Sequence, residues 1–347
     1  MTSPLVRDIF SQPQSLAETV DYQLGAGRAT LHDAACLMTG RQLLLSGMGS
    51  SLFACYSLSA ELAQNGIATA VIDTAELLHY HAPAYHAATA VLVSRSGESI
   101  ETTKLLPVLK AQGTRVVGVT DVAGSSLARE ADVTVLIHGG KDHLVAVQSY
   151  TATSITLHLL GAALLNTFDA AHNELDLAIR ALADYVPRCV DLSAEWRSFF
   201  EGAQVIHLLG RGRSIASVYE GALLFNEVAK FPAAPMEAAQ FRHGPAEIVD
   251  ERYRAIVFAP NDHTRELNLA LAHDLTRFGG QVRVIGPHHP DRDWWTTPDV
   301  PASLAPLIEV IPVQCAAMRL AEWRGLTPGE FRVVTQVTRS EAGFDTT

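Results

Sequence analysis

The sequence predicts an α/β fold of two doubly wound parallel-sheet domains, flavodoxin-like or Rossmann-like, behind an N-terminal helical arm. Three observations predict it. Apolar runs rich in leucine and valine alternate with helix-length stretches, the pattern of strands buried on both faces. The second half echoes the first: Val205–Gly212 follows the pattern of Leu43–Gly49, and Ala255–Ala259 that of Ala90–Ser94. Finally, 347 residues with 48% hydrophobic content suffice to fill two cores.

In chain order, residues 1–40 read as helical, an arm to be packed on a neighbouring surface. Strands are expected at Gln42–Ser46, Thr69–Ile72, Ala90–Ser94, Arg115–Thr120 and Val133–Ile137. Helices are expected between them at Ser51–Asn65, Ser99–Gln112 and Ser125–Glu130. Pro107 should kink or break the second of these. Ser149–Leu165 reads as a long buried helix, and Pro187 with its polar neighbours places an interdomain connection near Asp184–Glu195. The domains are then 41–185 and 195–347, the latter ending in a C-terminal tail.

Composition limits the partners. A net charge of −11 with no dense Lys/Arg run argues against nucleic acid. No uninterrupted apolar stretch approaches the roughly 20 residues of a membrane span. The start, Met1–Asp8, lacks the apolar core of a signal peptide, so a cytoplasmic protein is expected. Cys36, Cys55, Cys189 and Cys315 are widely separated and read as small buried hydrophobes. His79, His81, His86 and the pair His288-His289 are tempting as ligands, but no Cys or Asp set completes them; neither a metal nor a cofactor is expected.

The stretch Ser94-Arg95-Ser96-Gly97-Glu98-Ser99 follows a buried strand and opens a helix. Hydroxyl donors, a glycine that lets backbone approach a ligand and the free N–H groups of a helix start suit a phosphate. Its counterpart, Ala259-Pro260-Asn261-Asp262-His263-Thr264, has no serine and carries a carboxylate that would repel an anion, so one phosphate cradle per chain is expected. Gly47-Met48-Gly49 with Asp73 imitates a dinucleotide fingerprint, yet Leu52 stands where its third glycine belongs.

In the second half, Glu220, Leu224 and Glu227 are spaced to share a face of an apolar helix. A carboxylate there should have a raised pKa, as a general base working near neutrality requires. His243, ahead of Gly244-Pro245, is a suitable second proton carrier.

These segments resemble the SIS (sugar isomerase) family, and more closely the tandem-SIS isomerase half of glucosamine-6-phosphate synthase, with its deaminase and phosphosugar-amine deglycase relatives. The resemblance runs from about Leu43 to Ser340. It is carried by Gly49-Ser50-Ser51, Ser94–Ser99, Gly124-Ser125-Ser126-Leu127, Glu220-Gly221-Ala222-Leu223 and Arg242-His243-Gly244-Pro245. It implies that Ser51, Ser94, Ser96 and Ser99 hold a sugar phosphate, with Gly49 and Ser50 beside them and Arg95, where glutamine is frequent, adding a charge contact. Glu227 falls on the family's proton-shuttling glutamate and His243 on its ring-opening histidine. A homodimer with a shared active site is also implied, the histidine reaching across the interface. Gln148, Glu220 and Thr335 are further expected substrate contacts.

The departures are specific. Leu224 and Thr335 stand at two lysine positions of the synthase, and Val147 at a usual phosphate-binding serine. Without the tail amine no enzyme Schiff base forms. With no glutaminase domain ahead of the tandem, ammonia delivery from glutamine within the chain is not expected. The expectation is therefore enediol or enaminol proton transfer on a phosphorylated sugar or amino sugar, with deamination or deglycation of a fructosamine 6-phosphate as the favoured outcome. Plain aldose–ketose isomerisation and a non-catalytic phosphosugar-binding regulator are the alternatives. No helix-turn-helix region supports a DNA-linked regulator.

Overall fold

The computed structural model describes residues 3–287 and 294–343. The chain divides into two compact units: residues 14–142, 148–173 and 331–347 form one, and residues 1–13, 143–147 and 174–330 the other. The expected ligand pair His288-His289 lies outside the described residues.

In the first of these units β1 (Leu43–Gly47), β2 (Thr69–Asp73), β3 (Thr89–Val93), β4 (Arg115–Thr120) and β5 (Val133–Leu136) form a sheet in the order β2-β1-β3-β4-β5, with every pair parallel. The two strands at its centre, β1 and β3, are buried along their whole length, which is why they read as unbroken apolar runs. Leu44, Ala90, Leu92 and Val116 pack against Leu105, Leu106 and Leu109 of the helix Ile100–Ala111. That packing carries the helix straight through Pro107, where a break was expected: three buried leucines outweigh one missing hydrogen bond. The helices Ser50–Gln64, Ser126–Glu130 and Gln148–Leu165 also match the sequence reading.

The start of the chain forms the helices Pro4–Leu24 and Arg28–Met38. From the first, Thr19 Oγ1 donates to the His138 carbonyl and Gln23 Nε2 to the Leu136 carbonyl, so its second half covers the β5 edge.

The other unit repeats the plan. There β6 (Ile206–Gly210), β7 (Ala233–Glu237), β8 (Arg254–Phe258), β9 (Gln281–Pro287) and β10 (Trp294–Thr297) lie in the order β10-β9-β8-β6-β7, again all parallel. Read from its other edge, this order is that of the first sheet. The helices Ile215–Ala229, Arg265–Arg277 and Ala305–Trp323 belong to it. The interruption expected near Asp184–Glu195 is absent as far as Leu192: one helix, Phe168–Leu192, runs through Pro187 before a short 3-10 turn at Ser193–Glu195. Leu175, Ala178, Leu182, Val186 and Cys189 are all buried, at the spacing of one helical face, and that stripe decides the helix. The cysteines are free; Cys36 is exposed, against expectation, and the other three are buried. Among the described residues no helix is long and apolar enough to cross a membrane.

Candidate active site

A sheet ordered β2-β1-β3-β4-β5 reverses its direction of growth between β1 and β3, and the crevice beyond the carboxyl ends of those strands is where ligands bind in such sheets. Gly47 and Val93 are register partners there, so the segments leaving β1 and β3 start side by side. They are Gly49-Ser50-Ser51 and Ser94–Ser99, two of the segments expected to hold phosphate.

Gly49 has φ 51° and ψ −132°, a turn suited to glycine, and it caps the helix Ser50–Gln64, with Ser51 partly exposed in its first turn. In the second loop Ser94 Oγ accepts from the Gly97 N–H at 3.1 Å, and Ser96 Oγ from the Glu98 N–H at 3.2 Å. Each bond uses a hydroxyl lone pair and leaves the O–H proton for an outside acceptor, which is what an anion site needs. Ser99 shares a 2.7 Å hydrogen bond with Thr102. The Glu98 carboxylate takes Ser126 N–H and Oγ at 2.7 and 2.9 Å, pinning the loop to the next helix.

The glycine expected to admit a ligand has a different reason. Gly97 sits at φ 64°, and a Cβ there would lie 2.2 Å from Ser125 Oγ and 2.5 Å from Ser125 Cβ. Its close approach is to Ser125, the N-cap of Ser126–Glu130. Arg95 faces inward too: its Nη1 is 3.9 Å from Asp142 Oδ2. Burial pushes the Asp142 carboxyl up, while Gln148 N–H (2.8 Å) and Ser149 N–H (3.2 Å) donate to it. Gln148 is buried with its Nε2 on the Lys141 carbonyl at 3.2 Å, so this expected substrate contact holds a loop. Asp73, the acid of the imitated fingerprint, caps Thr74–Glu76.

In the other unit Glu227 lies two residues before the end of Ile215–Ala229 and is partly buried. Burial pushes its carboxyl up to about 7, with Lys230 acting in the opposite direction. Lys230, in the left-handed region at φ 51°, donates to the carbonyls of Glu227 and Glu330. Glu220 and Leu224 are buried in the same helix. Asn226, next to Glu227, exchanges hydrogen bonds with the backbone of Ala233, the first residue of β7. His243 follows the far end of that strand, exposed, ahead of Gly244 at φ 118°. Along the chain Glu227 precedes the start of β7 and His243 follows its end.

The loop after β8 is closed by its own contacts. Asp262 Oδ1 accepts from Thr264 N–H at 2.7 Å and Oγ1 at 2.8 Å, and Arg265 donates to the carbonyls of Ala259 and Pro287. Beside this unit's sheet, the fully buried Glu309 accepts from Ser214 Oγ at 2.9 Å and Ser217 Oγ at 2.8 Å, and burial raises it to about 7. Sequence reasoning missed it. The available signal was a lone carboxylate in an apolar helix, the same that marked Glu227.

Thr335 Oγ1 donates to the Val337 carbonyl at 3.0 Å within the tail. Of the tempting histidines, His79 Nε2 lies 3.1 Å from Glu341. Among the described residues no cluster of three or more His, Cys, Asp or Glu is arranged to hold a metal ion.

Comparison with known proteins adds the following. The family model described as SIS domain matches residues 37–164 and 200–321. Glutamine–fructose-6-phosphate aminotransferase (isomerizing) of Pyrococcus horikoshii is 25% identical over 334 residues, covering 93% of this chain and 55% of the relative. The chain thus spans about half the length of that relative. The solved C-terminal domain of the glucosamine-fructose-6-phosphate aminotransferase of Francisella tularensis has a TM-score of 0.79 at 19% identity, covering 94% of this chain and 97% of that one. The Thermotoga maritima glucosamine-6-phosphate deaminase structure has a TM-score of 0.74 at 20% identity, covering 97% and 99%. With both repeats matched and both sheets in the same strand order, the chain belongs to the SIS domain family.

Proposed function

We propose that this chain is an SIS enzyme that transfers a proton on an open-chain amino-sugar phosphate and releases its nitrogen, as a deaminase or a fructosamine-6-phosphate deglycase. The phosphate sits on Ser51, Ser94, Ser96 and Ser99, where hydroxyl protons and a helix start meet. His243, from the partner in a homodimer, assists ring opening. Glu227 moves a proton between C1 and C2 through an enaminol. The observation that carries this is the Glu227 carboxyl at about 7, since a group half-ionised near neutrality both accepts and returns a proton.

Release of nitrogen is favoured over plain aldose–ketose isomerisation by Leu224 and Thr335. Neither supplies an amine, and an amino-sugar substrate brings its own nitrogen to the imine. The test is incubation with glucosamine 6-phosphate and with fructosamine 6-phosphates while free ammonia or amine is measured. Release of either is the expected result. Tight binding without turnover of any of them would establish the sensor instead.

A further inference from the structure

The helix that carries Glu227 is closed by a residue in an unusual conformation. Lys230 lies at φ 51° and ψ 39°, in the left-handed region where helix C-termini ordinarily place glycine or asparagine. A residue with a Cβ is strained there, and such strain persists where the surroundings over-determine it. Here they do so through the side chain. Lys230 Nζ donates to the Glu227 carbonyl and, at 2.6 Å, to the Glu330 carbonyl. The segment that supplies the second acceptor is itself tied to the helix end, by the Gly329 N–H on the Val228 carbonyl at 3.4 Å.

Lysine is a compact charge on a flexible stem. Two carbonyls, one from the helix and one from the stretch after Ala305–Trp323, turn that charge into a fixed one. It follows Glu227 by three residues, the spacing at which helical side chains are neighbours. Burial drives the Glu227 carboxyl toward its neutral form, and the Lys230 ammonium opposes that. Arg213, Glu237, Glu309, Arg319 and Glu322 lie on elements packed against the same helix. Among the described residues none of these moves the Glu227 carboxyl, and Lys230 is the charge that does.

We propose that Lys230 is a positioning residue for the proton-transfer step: held by the Glu227 and Glu330 carbonyls, its ammonium keeps a positive charge fixed beside the Glu227 carboxylate. The inference rests on the reading of Glu227 as the base. A base buried on an apolar helix needs its ionised form steadied, and a fixed ammonium does this at close range.

The test compares Lys230→Met and Lys230→Arg with the unaltered protein. All three have an unbranched side chain at the left-handed position, so the backbone strain is alike and the charge is what differs. Lys230→Gln, neutral but still able to donate to a carbonyl, serves if methionine disturbs folding. Infrared difference spectra, each protein against its own Glu227→Gln counterpart, follow the Glu227 carboxyl through pH without substrate. Its midpoint should rise by about one unit in Lys230→Met and stay near the unaltered value in Lys230→Arg. The acid limb of kcat, with whichever amino-sugar phosphate turns over, should move with it. That is a loss of about fivefold at pH 7 which alkaline pH recovers. A purely structural role would lower kcat at every pH and leave the limb in place. An unchanged midpoint in both neutral variants overturns the inference and leaves the phosphosugar reading standing. A shifted midpoint in a protein that turns over neither glucosamine 6-phosphate nor fructosamine 6-phosphates overturns the enzyme reading, and the positioning role falls with it.

Discussion

At the scale of single residues, the central quantity is the ionisation of Glu227. Its carboxyl is raised from 4.5 to about 7, mainly because burial penalises the charged form. As a base it works only when ionised, so the rate of the proton-transfer step should fall as pH drops below about 7, by about tenfold per unit. A pH profile of kcat with an amino-sugar phosphate checks this; an acid limb centred near 4.5, the ordinary value for a glutamate, would show that burial does not raise the base in the working enzyme. Glu227→Gln should cost on the order of 10²- to 10⁴-fold in kcat. This residue was legible in the sequence because an acidic side chain on an apolar helix has few ways to stay hydrated. Gly97 was read for a ligand when its neighbour Ser125, distant in sequence, is what excludes a side chain.

At the scale of elements, Glu309 places a carboxylate inside the helix Ala305–Trp323, with two serine hydroxyls donating to it. Its folded-state pKa of about 7 lies above its ordinary value of 4.5, so the stability it contributes is fully present below about 4.5 and lost as pH rises through 7. Glu309→Gln keeps an amide able to accept from one serine and donate to the other, and it carries no charge. The variant's stability relative to the unaltered protein should therefore improve between pH 5 and pH 8, by up to roughly 3 kcal/mol. Denaturant unfolding at both pH values measures it; a difference independent of pH would mean that Glu309 is ionised at both. The strands of the first sheet were legible to within about a residue; in β1 and β3 full burial writes itself as runs of Leu, Val and Ala. Proline misled at Pro107 and Pro187, since each lies in a helix whose buried stripe outweighs one lost bond. Of the second sheet's strands only the echoes of β1 and β3 were read in advance; β9, β10 and Glu309 lie outside those echoes.

At the scale of the whole molecule, two sheets of one topology have diverged in what their edges do. In the loop after β3 Ser94 Oγ accepts from a backbone N–H, whereas the loop after β8 is tied up by Asp262 and Arg265. Meanwhile the two proposed proton carriers flank β7 along the chain, Glu227 ahead of it and His243 after it. The homodimer implied by the family resemblance would let a single reaction centre draw Glu227 from one chain and His243 from another. In a symmetric dimer each of the two sites would then contain one residue from each protomer. Chains carrying Glu227→Gln and chains carrying His243→Ala should each be inactive alone. Mixed, unfolded and refolded together in equal amounts, they should form hybrid dimers with one site holding both native residues and one holding neither. About half of the dimers would be hybrids and each would have one working site, so about a quarter of the unaltered activity should return. If His243 instead served the Glu227 of its own chain, every site in the mixture would carry one defect, and no activity would reappear.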